Sequence, residues 1–417
     1  MAHCHLHCSH FINLNARIYN GEGTVMPEIK STTCKNHSIE LIRIVACLLV
    51  IMAHSQISIL NNNELISGRL AISTILADDV PLFLLVTGFF FFGRIKSDAD
   101  IIPTFPHRAK SFFSRVYIPT IVYILINIIY RYYNSPTPLN SILNADWDYL
   151  GRFIFRLLPG DHLWYICTYM SFIFFFPMLA FVCQDSPQKN KLRRTLLGTA
   201  IGAAVIGDVQ YFFKLSMIDF EKFLWGYCTI FLILGYELSL FICKFENKRS
   251  KLFAIGIVIY LLGFFIKFGL QYYMFTEYGE NYANNRFRWL QCSPCFITTV
   301  GMFIAVYALG TLIKAKGIVA RIINYVGSCT FAIYLFHFMV ILETGNLRST
   351  IFWKTGAAMT FFNAIAYYIP YALAVFGLTL VVAIVFKYVV EKPVERLFKE
   401  KPLTSASLST SSGRHDN

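Results

Sequence analysis

Apolar residues occur along the chain in ten long runs, separated by short polar and charged segments. A helix needs about 20 mostly apolar residues to cross a bilayer. Each run comes close to that length, so we predict ten transmembrane helices, at residues 38–60, 71–92, 112–133, 163–183, 195–212, 222–243, 252–274, 296–313, 319–341 and 362–388. The predicted fold class is all-α, a polytopic membrane helix bundle.

The composition favours a membrane protein and excludes other classes. Hydrophobic residues make up 56% of the chain and charged residues 15%, whereas soluble domains contain about 25% charged residues. So few charges could not cover the surface of a soluble enzyme. The net charge is +13, but Lys and Arg form short clusters between apolar runs rather than one patch, so we expect no nucleic-acid partner.

The positive charges also predict the orientation of the chain. Alternate connecting segments, beginning with residues 1–37, carry 25 Lys and Arg residues, and the other connecting segments carry 10. Cytoplasmic segments of membrane proteins are the ones enriched in Lys and Arg. We therefore predict that both termini are cytoplasmic and that the protein is a multi-pass component of the cell (inner or plasma) membrane.

Three parts are predicted along the chain. Residues 1–37 form a polar N-terminal segment without the apolar core of a signal peptide, residues 38–397 form the membrane domain, and the Ser/Thr-rich residues 398–417 are predicted to be disordered. The first ten residues contain four His and two Cys, but their spacing matches no structural zinc pattern. We favour an upstream-extended start with Met26 as the initiator, and we expect no metal site.

A close cysteine pair, Cys292 and Cys295, lies where a predicted outer loop meets the eighth span. A disulfide could form there in an oxidising compartment. An isolated C-x-x-C motif is weak evidence for one, and two separate thiols remain the alternative.

Two ionisable residues, Arg43 and His54, lie inside the first predicted span. Such groups are costly within a bilayer and are candidates for function by default. Eleven residues correspond to three helical turns plus about 20°, so both side chains project from one helix face, about 16 Å apart along the axis. The alternative is an Arg that snorkels to the interface and a His hydrogen-bonded to a neighbouring helix.

Other ionisable residues share the predicted depth of His54. Asp78 and Asp79 enter the second span from the outside, Lys267 lies in the seventh span, and His337 lies near the outer end of the ninth. Several polar groups at one depth suggest a hydrated cavity that opens towards the outer face. Arg115 ends a basic loop on the predicted cytoplasmic side, although ordinary positive-inside charge is the simpler explanation for that loop.

Six short segments follow one another in a recognisable order. They are Arg-x10-His at 43–54, Pro-Leu-Phe with Thr-Gly-Phe within 80–89, Arg-x3-Pro at 115–119, His-Leu-Trp-Tyr at 162–165, Thr-x3-Tyr-Leu-x-His at 330–337 and Glu-x-Pro at 391–393. Together they resemble the motifs of membrane acyltransferase family 3, which acylates sugars and other hydroxyl compounds at the cell surface. Thr87 and Thr330 stand where the family usually has Ser, and both keep a hydroxyl group.

The resemblance implies an acyltransferase, most simply an acetyl-CoA-dependent O-acetyltransferase. It would transfer an acyl group from cytoplasmic acyl-CoA to a hydroxyl of a cell-surface or lipid-linked glycan. Acetyl-CoA is then a co-substrate rather than a bound cofactor. Since no soluble hydrolase-like domain is appended, a single-module enzyme is expected.

The catalytic residues that we assign on this basis are His54, Asp78, Asp79 and His337. A sugar hydroxyl becomes a good nucleophile when a base removes its proton, and an imidazole with a pKa of about 6.5 suits that task. We favour His54 as the general base and keep His337 as the rival. Asp78 or Asp79 would orient His54, as Asp orients the His of a serine-hydrolase triad.

The remaining assignments concern the two substrates. Arg binds phosphate bidentately, so Arg43, with Arg115, is assigned to the phosphates of the acyl-CoA donor. His162, Trp164 and Lys267 are assigned to acceptor binding.

A second class of protein stays open from the sequence. Ten spans with buried His, Asp and Lys residues also describe a proton-coupled transporter of a small solute. Transporters often show matching halves or broken helices in corresponding positions, and neither is visible in the sequence. A non-catalytic membrane scaffold does not explain why Arg43 and His54 share a helix face.

Overall fold

The computed structural model describes residues 37–55, 66–92, 95, 97–134, 163–215, 226–245, 248–279, 285–345 and 361–398. Within these ranges the chain forms helices and no strands, as predicted. Residues 1–36 with Met26, His162 and the tail from 399 lie outside the described residues, and the interpretations of them stay predictions.

Fifteen α-helices make up most of the described ranges. They are α1 (His37–His54), α2 (Ile66–Leu76), α3 (Asp79–Phe91), α4 (Ile101–Phe112), α5 (Ile118–Asn134), α6 (Trp164–Phe174), α7 (Phe176–Val182), α8 (Pro187–Phe212), α9 (Gly226–Cys243), α10 (Arg249–Tyr278), α11 (Ser293–Thr311), α12 (Ile318–Gly327), α13 (Thr330–Glu343), α14 (Phe361–Phe386) and α15 (Lys392–Leu397). Two π-helical segments, Phe113–Tyr117 and Lys387–Glu391, join α4 to α5 and α14 to α15.

Eight helical segments within the described residues are long and apolar enough to cross a membrane. Two helix pairs, α6 with α7 and α12 with α13, pass the same test when each pair is taken as one span, which gives ten. The prediction of about ten transmembrane helices is confirmed. The 72° bend between α6 and α7 was not predicted, and Pro177 in the first turn of α7 explains it, because proline lacks the N–H that would continue α6.

The chain divides into two compact units, and the division falls inside α1, between Leu49 and Val50. The first unit holds most of α1, α2, α3, α8 from Arg194 onward, and α9 to α12. The second unit holds the end of α1, α4 to α7, the start of α8, and α13 to α15.

In the first unit, glycines allow α3 and α9 to approach closely. A Cβ atom on Gly88 would overlap the backbone carbonyl of Leu232, and one on Gly235 would overlap the carbonyl of Leu85. Small residues at helix contacts are typical of membrane bundles, where packing replaces the hydrophobic effect as the driving force. This contact fixes α3, the helix that Asp79 begins.

The second span is broken between α2 and α3, at Ala77 and Asp78. Pro81 has no N–H to donate to the carbonyl of Ala77, so one helical hydrogen bond is lost there. The Cys295 thiol donates to this carbonyl instead, at 3.6 Å. A span break is tolerated where the freed backbone group is buried in protein and finds a partner. The break carries Asp78 into the interior of the unit.

In the second unit, aromatic contacts hold α13 against its neighbours. The Phe336 ring lies 4.9 Å from that of Tyr123 on α5 and 5.0 Å from that of Phe386 on α14. Both contacts are close to edge-on, a geometry that aromatic pairs favour. They fix the helix that carries His337.

Candidate functional site

Two histidines from distant parts of the sequence meet in the second unit. His54 ends α1 and His337 lies in the middle of α13, and their ring centroids are 5.2 Å apart with an interplanar angle of 52°. Phe338 contacts His54 edge-on at 6.0 Å. His337 is completely buried, whereas His54 is partly exposed.

The orientation of the His337 ring is set by its own helix. Its Nδ1 lies 2.6 Å from the backbone oxygen of Tyr334. A carbonyl oxygen only accepts hydrogen bonds, so Nδ1 carries the hydrogen and donates it. In the neutral ring, Nε2 is then the nitrogen with the free lone pair. His337 is thus held in one tautomer by the turn of helix that precedes it.

The end of α1 that carries His54 is held by two side-chain hydrogen bonds. The last carbonyls of a helix have no partner within the helix. Here the Ile51 oxygen accepts both the N–H and the hydroxyl of Ser55, at 2.8 and 2.6 Å, and the Tyr368 hydroxyl of α14 donates to the Met52 oxygen. These contacts stabilise the last turn of α1, and with it the backbone of His54.

The segment that contains Trp164 adjoins the same cluster. Trp164 begins α6 and is half-buried. The ring of its neighbour Tyr165 lies 5.9 Å from that of Tyr334, whose backbone oxygen holds His337. Tyr165 of the first segment and Tyr334 of the Thr-x3-Tyr-Leu-x-His segment therefore meet in the second unit.

Arg115 also belongs to the second unit, in the first π-helical segment. Its Nε lies 3.2 Å from Oε1 of Glu395 on α15. Its side chain is 65% exposed and that of Glu395 is 43% exposed. The guanidinium group is accessible, as a phosphate-binding residue requires.

The first unit contains a buried group of charged and hydroxyl side chains at the span break. Oδ1 of Asp78 accepts hydrogen bonds from the hydroxyls of Thr298 and Thr299 on α11, both at 2.6 Å. Lys267 on α10 is completely buried, as is Asp78, and both belong to this unit. Among the described residues, Nζ of Lys267 and Oδ2 of Asp78 have no hydrogen-bond partner.

One turn further along α10, Gln271 connects this group to α2. Ser73 donates to the Gln271 side-chain oxygen at 2.6 Å, and the Gln271 amide donates to the Thr74 hydroxyl at 2.7 Å. The Asn285 side chain donates to the backbone oxygen of Gln271 at 3.1 Å. All four residues are buried. Among the described residues, the Gln271 side chain thus has hydrogen-bond partners on α2, whereas Nζ of Lys267 has none.

Arg43 lies in the first unit and forms an ion pair within its own helix. Its Nη1 contacts both side-chain oxygens of Glu40, at 3.1 and 3.3 Å. Glu40 is 8% exposed and packs against Gly327, where a Cβ atom would overlap it. Within the part of the chain that the structure describes, the pair involves Nη1 of Arg43 alone among its nitrogens.

Asp208 has a structural role in the first unit. Its Oδ1 accepts from Arg286 at 3.0 Å and its Oδ2 accepts from the backbone N–H of Ser293 at 2.6 Å. Arg286 also donates to the Tyr227 hydroxyl. These bonds attach the segment before α11 to α8 and α9.

Cys292 and Cys295 are free thiols in the structure. Cys292 donates to the Trp289 oxygen at 3.3 Å, and Cys295 donates to the Ala77 oxygen. Each sulfur thus has a separate structural contact, which favours the two-thiol alternative.

The site residues predicted from the sequence fall into two groups, one in each unit. His54, His337, Arg115 and Trp164 belong to the second unit, and Arg43, Asp78, Asp79 and Lys267 belong to the first. An Asp partner for His54 stays a prediction.

Four residues that shape these groups were not predicted, namely Glu40, Thr298, Thr299 and Tyr334. Tyr334 could have been found, because it lies within the Thr-x3-Tyr-Leu-x-His segment. Thr298 and Thr299 carry no signal of their own in an apolar run.

A helical protein with eight to ten candidate spans is an integral membrane protein, and the ionisable side chains buried among those spans are candidates for function. A family model described as an acyltransferase domain matches residues 36–388, and the chain belongs to the membrane acyltransferase 3 family. It is a membrane acyltransferase. The match confirms the family resemblance and includes five of the six motif segments, ending just before Glu-x-Pro at 391–393. No curated protein and no solved structure matched the chain.

Proposed function

We propose that this acyltransferase is an O-acetyltransferase of the cell membrane. It transfers the acetyl group of cytoplasmic acetyl-CoA to a hydroxyl of a cell-surface or lipid-linked glycan. The observation that carries the proposal is the contact between His54 and His337 in a chain of the acyltransferase family. A pair of imidazoles within the bundle supplies the proton acceptor that transfer to a hydroxyl requires.

The reaction is an acyl transfer from the CoA sulfur to the acceptor oxygen, with general acid–base catalysis. His54 accepts the proton of the acceptor hydroxyl as its oxygen attacks the thioester carbonyl carbon. The carbon–sulfur bond then breaks, and the resulting CoA thiolate takes the proton from the imidazolium. His54 therefore acts first as a base and then as an acid, and it ends the cycle unchanged.

Exposure supports His54 rather than His337 as the base. His54 is partly exposed and so accessible to a substrate, while His337 is completely buried. His337 remains the rival. Asp78 or Asp79 is proposed to orient His54, and Asp78 has one carboxylate oxygen without a hydrogen bond among the described residues.

Arg43 and Arg115 are proposed to bind the phosphates of the donor. Both guanidinium groups are at least partly exposed, and each contacts only one carboxylate within the described residues. Arg presents five N–H groups in a fork that matches phosphate oxygens. A single carboxylate contact leaves most of that fork for the donor.

Trp164, Lys267 and His162 are proposed to bind the acceptor. Trp164 offers an apolar ring with one N–H donor, and its half-exposure supports this role. Lys267 is completely buried, so its participation requires the first unit to open at the span break.

The test is the reaction of purified protein with acetyl-CoA. We expect CoA release that rises when a glycan acceptor is added, and mass spectrometry of surface glycans should show a two-carbon ester that is lost when the gene is removed. Absence of both CoA release and an acyl ester that depends on the gene would overturn the proposal.

A proton-coupled transporter remains the second candidate, because one observation favours it. The second span is broken at Asp78, beside a buried Lys267, and discontinuous helices with buried charges form ion and substrate sites in transporters. Uptake of a solute into proteoliposomes, driven by a pH gradient without acyl-CoA, would support this reading over the enzyme.

A further inference from the structure

Arg115 lies in a part of the second unit where two helices are locally widened. The Ile118 N–H bonds to the Phe113 oxygen, and the Lys392 N–H bonds to the Lys387 oxygen, each five residues back. Such π-helical turns are rare and frequently occur at functional sites. The first of them carries Arg115, and the second leads directly into α15 and Glu395.

This end of the second unit has an excess of positive charge. Residues 101–118 and 386–398 contain six basic and two acidic side chains. They are Arg108, Lys110, Arg115, Lys387, Lys392 and Arg396, with Glu391 and Glu395. The excess attracts anions, and the Glu395 carboxylate is the anion that contacts Arg115 in the structure.

The ion pair between Arg115 and Glu395 is of the kind that a ligand can replace. The separation is 3.2 Å between Nε and Oε1, and about half of each side chain is exposed. Exposed ion pairs contribute about 0–1 kcal/mol. A phosphate group that takes two N–H bonds from Arg is bound more strongly.

Arg43 provides a contrast within the first unit. Its partner Glu40 is 10% exposed at the side chain and packs against Gly327, so it cannot leave without disturbing that contact. Glu40 therefore holds Arg43 in place. The Glu395 side chain on α15 is 43% exposed, and it lies beyond the residues that the family model matches.

We propose that Glu395 is an internal competitor for the donor site. In the protein without donor its carboxylate occupies Arg115, and a phosphate of acyl-CoA displaces it when the donor binds. Glu395 thereby lowers the affinity for the donor and promotes its release after transfer. This inference rests on the proposed use of acyl-CoA.

The test is the binding of CoA to the full-length protein in nanodiscs of zwitterionic lipid, measured by calorimetry. Glu395→Gln keeps the shape of the side chain and removes its charge, so we expect a Kd for CoA about fivefold lower than that of the wild type, which corresponds to an ion pair of about 1 kcal/mol. In the background of Arg115→Ala the same substitution should leave the Kd unchanged. The gain should also be absent for pantetheine, which lacks phosphate.

The matched control is Glu343→Gln. Glu343 is exposed and ends α13, about 20 Å along the helix from Thr330. Lys387, one of the basic residues named above, lies beside Cys329, which immediately precedes α13. Glu343 is therefore at the opposite end of α13 from Lys387. An equal gain in this variant would overturn the proposal, because any lost negative charge would then suffice. An unchanged Kd in Glu395→Gln would overturn it as well.

Two further outcomes separate the possible phosphate sources. If anionic phosphatidylglycerol stabilises Glu395→Gln more than wild type while CoA affinity is unchanged, the competitor acts on a lipid headgroup and the donor proposal fails. If the wild type binds no CoA at all, the proposed function fails together with this inference.

Discussion

The imidazole rings of His54 and His337 lie 5.2 Å apart, centroid to centroid, although 283 positions separate them in the sequence. The two residues belong to different motif segments, and from the sequence they are rivals for one catalytic role. Their contact makes them parts of one cluster. A substitution at either is therefore expected to affect the other, and the two roles have to be separated by experiment.

The first prediction is that His54→Ala abolishes detectable acyl transfer while the protein remains folded in the membrane. Loss of a positioned base costs about 10²–10⁴-fold in rate. His337→Ala should retain more activity, because the His337 ring is completely buried whereas that of His54 is partly exposed. The measurement is turnover of acetyl-CoA with a glycan acceptor at matched expression.

His107→Ala is the control for this pair, since His107 is exposed on α4. It should behave as wild type. If His54→Ala keeps more than about a tenth of the rate while His337→Ala is inactive, the base is on α13 and the two roles are reversed.

The second prediction concerns donor affinity. Arg43→Lys keeps a positive charge but loses the fork of N–H groups, so the KM for acyl-CoA should rise about tenfold with a smaller effect on kcat. Arg321→Lys, at an exposed position on α12, is the control and should leave the KM unchanged. An unchanged donor KM in Arg43→Lys would assign Arg43 to its ion pair with Glu40 alone.

The third prediction concerns orientation in the membrane. The charge bias predicts that reporters fused after residue 400 and in loop 244–251 report the cytoplasm, while one in loop 275–295 reports the outer side. A C-terminal reporter on the outer side would mean an odd number of spans. It would also remove the argument that His54, Asp78 and Lys267 share a depth.

The spans could be predicted from the sequence because each needs only a long apolar run. The bends and breaks within the spans could not be predicted from the sequence. Pro177 accounts for the bend between α6 and α7, and Pro81 accounts for the break at Ala77, but a proline inside an apolar run is also compatible with a mild kink. Which outcome occurs depends on a partner for the freed carbonyl, and for Ala77 that partner is Cys295, distant in the sequence.

The sequence proposes which residues form the candidate site, and those roles stay predictions, but it does not indicate how the residues are grouped. His54 and Arg43 share a helix face by periodicity alone, and that much follows from the sequence. The contacts of Asp78 with Thr298 and Thr299 depend on how α11 packs, and no periodicity indicates it. The partners of the two arginines also differ in how far the sequence indicates them. Glu40 is one helical turn from Arg43, so periodicity indicates that contact, whereas Glu395 is on a different helix from Arg115 and no periodicity indicates it.

The fourth prediction concerns the close contact of α3 with α9. Gly88→Ala would drive a Cβ atom into the Leu232 carbonyl, and forced repacking of this kind costs about 1–3 kcal/mol. The apparent melting temperature in detergent should fall by several degrees. Gly269→Ala on α10, where nothing lies within 4 Å of the added Cβ, is the matched control and should be neutral. Equal stability of the two variants would contradict the packing described for Gly88.

The fifth prediction concerns the buried charges at the span break. Removing one member of a buried pair leaves the other uncompensated, at a cost of about 3–5 kcal/mol. Asp78→Asn and Lys267→Met should therefore each reduce the yield of folded protein and its apparent melting temperature. The double variant should recover much of the loss, because no isolated charge remains. The size-exclusion profile and the apparent melting temperature are measured for the wild type, the two single variants and the double variant.

The same double variant separates structure from function at Lys267. If Lys267 and Asp78 serve only to stabilise the break, the double variant should regain acyl transfer along with stability. If Lys267 binds the acceptor, stability should return while the KM for the glycan stays raised and the KM for acetyl-CoA stays normal. Additive losses of stability in the double variant would show that the two charges do not interact, and the electrostatic account of the break would then be wrong.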